Sequence, residues 1–297
     1  MKTTSFSDGS PQVYSFFEPV TNTVSHIVVD PQTKHCAVID SVMDFEPNAA
    51  KISFEFADQL IDFVQKEGLT VAWVMETHAH VDHLSAAPYI QKKLGGKLAI
   101  GEHIKIVQET FGKVFNFGTE FQRDASQFDH LFKEGDRFKI GELEGTVMHT
   151  PGHTPADMTY VIGDAAFVGD TLFMPDYGTA RCDFPGGSAD QLYQSIQKIF
   201  SLPDETRIFL CHDYLPEGRT EYTWETTVKE QRERNIHVGA ESGKTQEDFV
   251  KMRHERDATL GMPRLIIPSI QVNIQAGRLP QAEENGTSYL KVPLNRF

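Results

Sequence analysis

The stretch Val71-Ala72-Trp73-Val74-Met75 runs directly into Glu76-Thr77-His78-Ala79-His80-Val81-Asp82-His83, and this junction constrains the chain more than any other feature. An uninterrupted apolar run that is partly β-branched and aromatic spells a strand buried on both faces. Three imidazoles and a carboxylate follow at once. Such groups cannot neutralise one another by charge alone, and together they are a donor set for borderline or hard divalent cations. An exposed polar turn would leave their density unexplained. The junction therefore reads as a metal-binding loop at the end of a buried strand.

The rest of the chain can carry such a site. With 297 residues and 39% hydrophobic content it can bury a large core. The expectation is a single domain, with a core over about 13–225 and a C-terminal extension over about 226–297. A formal net charge of −14 argues against a nucleic-acid surface, which needs clustered Lys and Arg. No apolar run approaches the ~20 residues that cross a bilayer, and Met1-Lys2-Thr3-Thr4-Ser5-Phe6-Ser7-Asp8 lacks the apolar core of a leader. No membrane contact and a cytoplasmic location are expected. Cys36, Cys182 and Cys211 are widely spaced and odd in number, which fits reduced thiols better than a disulfide framework.

Along the chain, Thr23 to Val29 and Cys36 to Ile39 flank Asp30-Pro31-Gln32-Thr33-Lys34, a β-hairpin signature. Phe56 to Lys66 reads as an amphipathic helix ending at Gly68, and Ser85 to Leu94 as a helix closed by Gly95-Gly96. His103 to Phe115 is helical in register, and Phe117 to Phe132 loses periodicity and reads as a loop. Strands are expected at 137–140, 145–148, 158–162 and 165–168, the last two joined by Gly163-Asp164 as a two-residue hairpin. Ser188 to Phe200 is a helix and Arg207 to Cys211 a buried strand. Beyond these, Thr223 to Asn235 and Thr245 to Leu260 read as charged helices, the second opened by a capping-box pattern, and Ile266 to Ile274 as a short apolar helix stopped at Gly277. A plain packing role is the expectation for this last segment, with lying back over the pocket, or a contact between copies of the chain that gives a homo-oligomer, as its alternatives.

Three more ligand-type residues stand where an apolar run ends: His153 in Thr150-Pro151-Gly152-His153-Thr154, Asp170 in Gly169-Asp170-Thr171, and His212 after the Leu210 strand. Glycine beside His153 and Asp170 allows close backbone approach. With these residues assembled, the chain from roughly Val13 to Tyr214 resembles the metallo-β-lactamase superfamily. The resemblance implies an α/β fold, an αββα sandwich with the metal pocket at one edge of its two sheets. It does not fix the reaction, because one scaffold hosts many chemistries.

Two physical arrangements suit the ligand set. In one, all seven residues hold two metals bridged by Asp170, and a metal-held hydroxide attacks a thioester or lactone, as in a glyoxalase II type of site. In the other, His78, His153 and Asp170 hold one Fe(II), while His80, Asp82, His83 and His212 stand behind as orienting groups. The stretch Asp170-Thr171-Leu172-Phe173-Met174-Pro175-Asp176-Tyr177-Gly178-Thr179-Ala180-Arg181-Cys182-Asp183-Phe184-Pro185-Gly186-Gly187, with His212-Asp213-Tyr214, resembles the persulfide dioxygenases, and beyond about Thr226 the longer tail is similar to that of their long bacterial subgroup. The resemblance implies one Fe(II) per chain and oxidation of glutathione persulfide by O2 to sulfite and glutathione. Glutathione carries two carboxylates, so a cationic anchor is needed. Arg181 and Arg219 are its candidates, with Tyr177 and Tyr214 as hydroxyl donors; either arginine could instead merely pair with a neighbouring acid. Cys182 and Cys211 read as buried structural thiols. A non-catalytic metal or thiol sensor on the same fold is the remaining alternative.

Overall fold

The computed structural model describes residues 9–296; Met1–Asp8, read above for a leader, lies outside them. In chain order the strands β1 (Gln12–Glu18), β2 (Thr23–Val29), β3 (His35–Ile39), β4 (Val42–Glu46) and β5 (Lys51–Ser53) lead to helix α1 (Glu55–Lys66). Then come β6 (Thr70–Met75), β7 (Leu84–Ser85), α2 (Ala87–Leu94), β8 (Lys97–Gly101), α3 (Ile104–Val114) and β9 (His130–Phe132). The second half holds β10 (Arg137–Ile140), β11 (Leu143–His149), β12 (Met158–Ile162), β13 (Ala165–Phe167), α4 (Ala189–Ile199) and β14 (Arg207–Phe209). It closes with β15 (Glu225–Thr227), α5 (Val228–Arg234), α6 (Gln246–Asp257) and α7 (Ile266–Asn273).

Two six-stranded sheets result, ordered β1-β2-β3-β6-β8-β9 and β10-β11-β12-β13-β14-β15, beside a small β5-β4-β7 sheet. Strand alternation builds the layers. Val28, Ala37, Ile39 and Met75 point from the first sheet at Val147, Tyr160, Ile162 and Phe167 of the second. Their neighbours Ile27, Val29, Cys36, Val38 and Val74 point the other way and are covered by α1, α2, α3 and α7. Ala166, Val168, Ile208 and Leu210 are likewise covered by Leu192 and Ile196 of α4 and Phe249 of α6. Each fully buried side chain of this size stabilises by about 1.5–3 kcal/mol, so three stacked apolar layers suffice to hold strand ends in register. This is the αββα sandwich expected from the sequence.

The hairpin turns stand where they were read: Val29 pairs Cys36, and Ile162 pairs Ala165 across Gly163-Asp164. Both sides of the Thr245–Asp248 capping box are made. Two expectations need correction. The segment read as loop from Phe117 to Phe132 ends in strand β9, which lies parallel to β8. The helix expected from Thr223 begins only after β15, whose Thr226 pairs Ile208; the Thr227 side chain then caps α5 by accepting from Glu230 N–H. In both cases the partner strand, not local periodicity, fixes the backbone. Strands β1, β4, β5 and β8, the first of them paired with β2, have no counterpart among those expectations. Among the described residues no helix is long and apolar enough to cross a membrane.

Candidate metal centre

Strand ends deliver the ligand-type residues to one edge of the sandwich. After Met75 the chain turns sharply because Asp40, at the end of β3, accepts from Thr77 N–H at 2.7 Å and from the Thr77 hydroxyl at 2.9 Å. Gly169, at φ 51°, passes so close to this turn that a Cβ there would meet Thr77 Oγ1 at 2.6 Å. Gly152 is pressed on the Leu192 backbone, where a Cβ would stand 2.4 Å from it. Both glycines therefore permit the approach that brings His153 and Asp170 to His78.

His78, His153 and Asp170 form one buried group whose ligand atoms all lie within 4.8 Å of one another; His80, Asp82 and His83, and Asp170, Cys211 and His212, form others by the same measure. Asp170 Oδ2 stands 3.8 Å from His78 Nε2 and 3.6 Å from His153 Nε2. The far nitrogen of each ring is committed. His153 Nδ1–H donates to the Arg181 carbonyl at 2.8 Å. His78 Nδ1–H donates at 3.0 Å to the Thr77 hydroxyl oxygen, which itself donates to Asp40. Fixing Nδ1–H leaves the Nε2 lone pair turned to the gap, the arrangement in which histidine binds metals.

On the other side of Asp170, its Oδ1 is 3.4 Å from His212 Nε2, which is 3.1 Å from Asp82 Oδ2. His212 Nδ1–H donates to the Asn22 carbonyl at 3.1 Å, and His83 Nδ1 meets Thr23 Oγ1 at 3.3 Å. His80 commits its Nε2, which lies 3.1 Å from both Asp40 Oδ1 and Glu76 Oε2, and it also groups with Asp82 and His83. Burial opposes charge on His80, but these carboxylates outweigh it and hold its pKa well above the ordinary value.

A cation fits these residues. His78 Nε2, His80 Nδ1, both Asp82 oxygens, His83 Nε2, His153 Nε2, Asp170 Oδ1 and His212 Nε2 are buried without a hydrogen-bond partner. Orphaned buried acceptors cost on the order of 1–3 kcal/mol each, and a divalent ion relieves that cost for the atoms that coordinate it. Behind His78, burial pushes the Asp157 carboxyl up to about 6. The thiols are inert by environment: burial raises Cys211 well above the usual thiol range, further lifted by Asp40, Asp170 and Asp82, and burial also raises Cys182.

A cleft of about 330 Å³ opens onto His153, Asp170 and Asp82. Tyr177, Tyr214, Arg181 and Phe173 line it. Tyr214 stacks on His212 with ring centres 5.5 Å apart, and burial raises its pKa, so its hydroxyl stays protonated. Arg181 spends its guanidinium on Asp183, at 2.6 Å twice, and on the Gly261 carbonyl at 2.8 Å. Arg219 is not among the lining residues; it forks onto Asp213 and reaches Asp176 at 2.9 Å, bracing the loop that follows His212.

The extension also reaches the site, through residues that no motif of the sequence marks. Arg253 of α6 is buried, pairs with Asp257 and donates to the Thr179 carbonyl at 3.1 Å. Asp257 in turn accepts from Cys182 N–H at 2.8 Å. The turn whose Arg181 carbonyl orients His153 is thus clamped from α6. On the opposite side, Asn273 of α7 donates at 2.8 Å to the His80 and His83 carbonyls and accepts at 2.8 Å from Ser85 N–H. Asp40 and Glu76 could have been found, since each ends an apolar run as the ligands do. Arg253, Asp257 and Asn273 carry no such signal.

Comparison with known proteins agrees with this geometry. A probable metallo-hydrolase of Burkholderia pseudomallei is 52% identical, covering 95% of this chain and 99% of its own. Glyoxylase B2 of Dictyostelium discoideum is 51% identical over 91% of this chain and 92% of its own. The human mitochondrial persulfide dioxygenase ETHE1 is 27% identical over 88% of this chain and 87% of its own. The crystal structure of ETHE1 from Myxococcus xanthus superposes with a TM-score of 0.70 at 27% identity, covering 90% of this chain and 99% of that one. The family model described as the metallo-beta-lactamase superfamily matches residues 19–212, and this chain belongs to that superfamily.

Proposed function

We propose that the chain is a persulfide dioxygenase: glutathione persulfide, O2 and water give glutathione, sulfite and two protons, at one Fe(II) held by His78, His153 and Asp170. The observation that carries this reading is the convergence of two Nε2 lone pairs on one carboxylate, with His80 Nε2 drawn away to Asp40 and Glu76. A two-histidine, one-carboxylate set would hold an Fe(II) ion and leave it open to a persulfide sulfur and dioxygen. When bound, Fe(II) supplies the redox chemistry that a d10 ion lacks. The likeness to ETHE1 in sequence and structure supports the same assignment.

The chain's own residues orient and exclude. Phe173 packs edge-on to both His212 and Tyr214, and the Tyr177 and Tyr214 rings lie 4.9 Å apart, so an apolar aromatic wall faces the ligands. Such a wall lowers the local dielectric around a bound persulfide and keeps bulk water from it. The Tyr214 hydroxyl, kept protonated, is available to donate to an anionic sulfur or to a sulfite oxygen at the mouth. Holding persulfide and dioxygen together removes much of the entropic cost of their meeting.

The test is metal analysis joined to oxygen uptake. About one iron per chain and O2 consumption that depends on glutathione persulfide are expected. A second reading has its own observation: Asp82, His83 and His212 present orphaned atoms on the far side of Asp170, and relatives above 50% identity are named as a metallo-hydrolase and a glyoxylase. Two zinc ions per chain, with S-lactoylglutathione cleaved in the absence of oxygen, would establish that hydrolase instead.

A further inference from the structure

The cleft is bounded on one side by the extension, and that side is cationic. Arg253, Arg256, Leu260, Pro263, Arg264 and Leu265 line it opposite the metal ligands. The chain as a whole carries 42 acidic against 28 basic residues, so arginines gathered at one mouth run against its composition. Their states differ. Arg181 and Arg253 are consumed by Asp183 and Asp257. Among the described residues, Arg256 and Arg264 make no ion pair or side-chain hydrogen bond, and both are exposed. The carboxylates that share the cleft, Asp82 and Asp170, are turned to the ligand cluster.

We infer that Arg256 and Arg264 form the recognition site for the carboxylates of a peptide thiol whose sulfur is directed at the ligand cluster. This deepens the persulfide dioxygenase reading above and rests on it. A guanidinium matches a carboxylate with two parallel N–H donors. An unpaired pair at a concave mouth holds both charges ready, so no internal ion pair must break when substrate arrives. The apolar stretch between them, Leu260 and Pro263, suits the backbone of a short peptide. The clamp also explains the place of α6: Arg253 and Asp257 lock it to the Thr179–Cys182 turn, so the arginines and His153 are set against each other through one rigid connection.

The experiment is calorimetric titration of glutathione into the metal-loaded full chain. Arg256→Gln and Arg264→Gln should each weaken glutathione binding about tenfold, and the double variant further, with metal content and circular dichroism unchanged. Glutathione diethyl ester, in which both carboxylates are masked, should bind the unaltered protein as weakly as glutathione binds the double variant, and should be insensitive to the substitutions. Rising salt should weaken glutathione binding in the parent and not in the double variant. Arg264→Lys should recover part of the loss, whereas Arg232→Gln, at an exposed pair with Asp204, should change nothing. An unaltered affinity in the double variant, an ester that binds as tightly as glutathione, or a parent protein that does not bind glutathione would each overturn the inference. Calorimetry needs no turnover: arginine-dependent binding without O2 uptake would remove the dioxygenase reading alone, and O2 uptake with arginine-independent binding would remove the inference alone.

Discussion

The sandwich and the extension meet the same cleft by different means. From the sandwich come atoms: His78, His153, Asp170 and His212 each sit three or four residues beyond a strand end, aimed by main-chain pairing that runs through the core. From the extension come constraints: Arg253, Asp257 and Asn273 hold turns that belong to the sandwich, and Arg256 and Arg264 face outward into the cleft. The difference separates what binds an ion from what decides how firmly its ligands are held and what reaches it. Substitutions in the sandwich should therefore strike metal retention, and those in the extension should strike ligand orientation and substrate affinity.

The strongest way to break that division is Asp170→Ala. It should abolish metal retention, with a loss of activity on the order of 100-fold or more, exceeding what orienting groups cost, whereas His80→Ala should keep the metal and impair the rate. Equal metal loss in both, measured by elemental analysis, would erase the distinction between the ion's ligands and the groups behind them. Next in size, Asp257→Ala strands the buried Arg253 guanidinium; breaking such a pair costs about 3–5 kcal/mol, read as a shifted denaturant midpoint, and the freed Arg181 carbonyl should weaken metal affinity by roughly tenfold. A stability loss without any change in metal affinity would show that the clamp does not reach His153. Asn273→Ala comes third, leaving two carbonyls and one N–H unpaired for about 1–3 kcal/mol.

The smallest effect concerns pH. His237, in the extension, accepts from Thr179 N–H at 3.0 Å and is lowered to about 3 by burial and by Arg253, Arg256 and Lys244. His26, in the sandwich, accepts from Ser15 and donates to the Leu210 carbonyl, and burial lowers it to about 4. Each is depressed in the folded chain, so the unfolded chain binds the proton first. Stability is full above the ordinary histidine value near 6.5 and falls as pH drops toward the folded values, by at most about 1.4 kcal/mol per pH unit per group. His237→Asn keeps an acceptor near Nδ1 but cannot titrate there; it should flatten the stability curve between about pH 6 and 3. An unchanged slope would mean that the ring is not neutral in the folded protein.

What could be read from the sequence follows the same line. The ligand residues were legible because a strand buried on both faces needs an apolar run, and a polar residue of ligand type at its end stands out. Asp40 ends a strand by the same rule, but a lone aspartate there is common and does not stand out. The three-residue strands His130–Phe132 and Glu225–Thr227 were not legible, because each exists through its partner's backbone. Arg219 illustrates the limit for charged residues: the sequence shows a cation near the right loop, and only the folded chain shows it engaged with Asp213 and Asp176.

The Asn273 clasp also sets a timetable. The carbonyls it holds lie 193 and 190 positions earlier in the chain, and at about 5–20 residues per second a ribosome needs on the order of ten to forty seconds to make that distance. Throughout that interval the histidine loop is displayed without its fastener. A cation captured then is chosen by intrinsic affinity order, in which zinc outranks ferrous iron, rather than by the finished pocket. The iron-to-zinc ratio of the purified protein should accordingly track the growth medium, and a constant ratio would mean that the ion enters only after the last helix has docked.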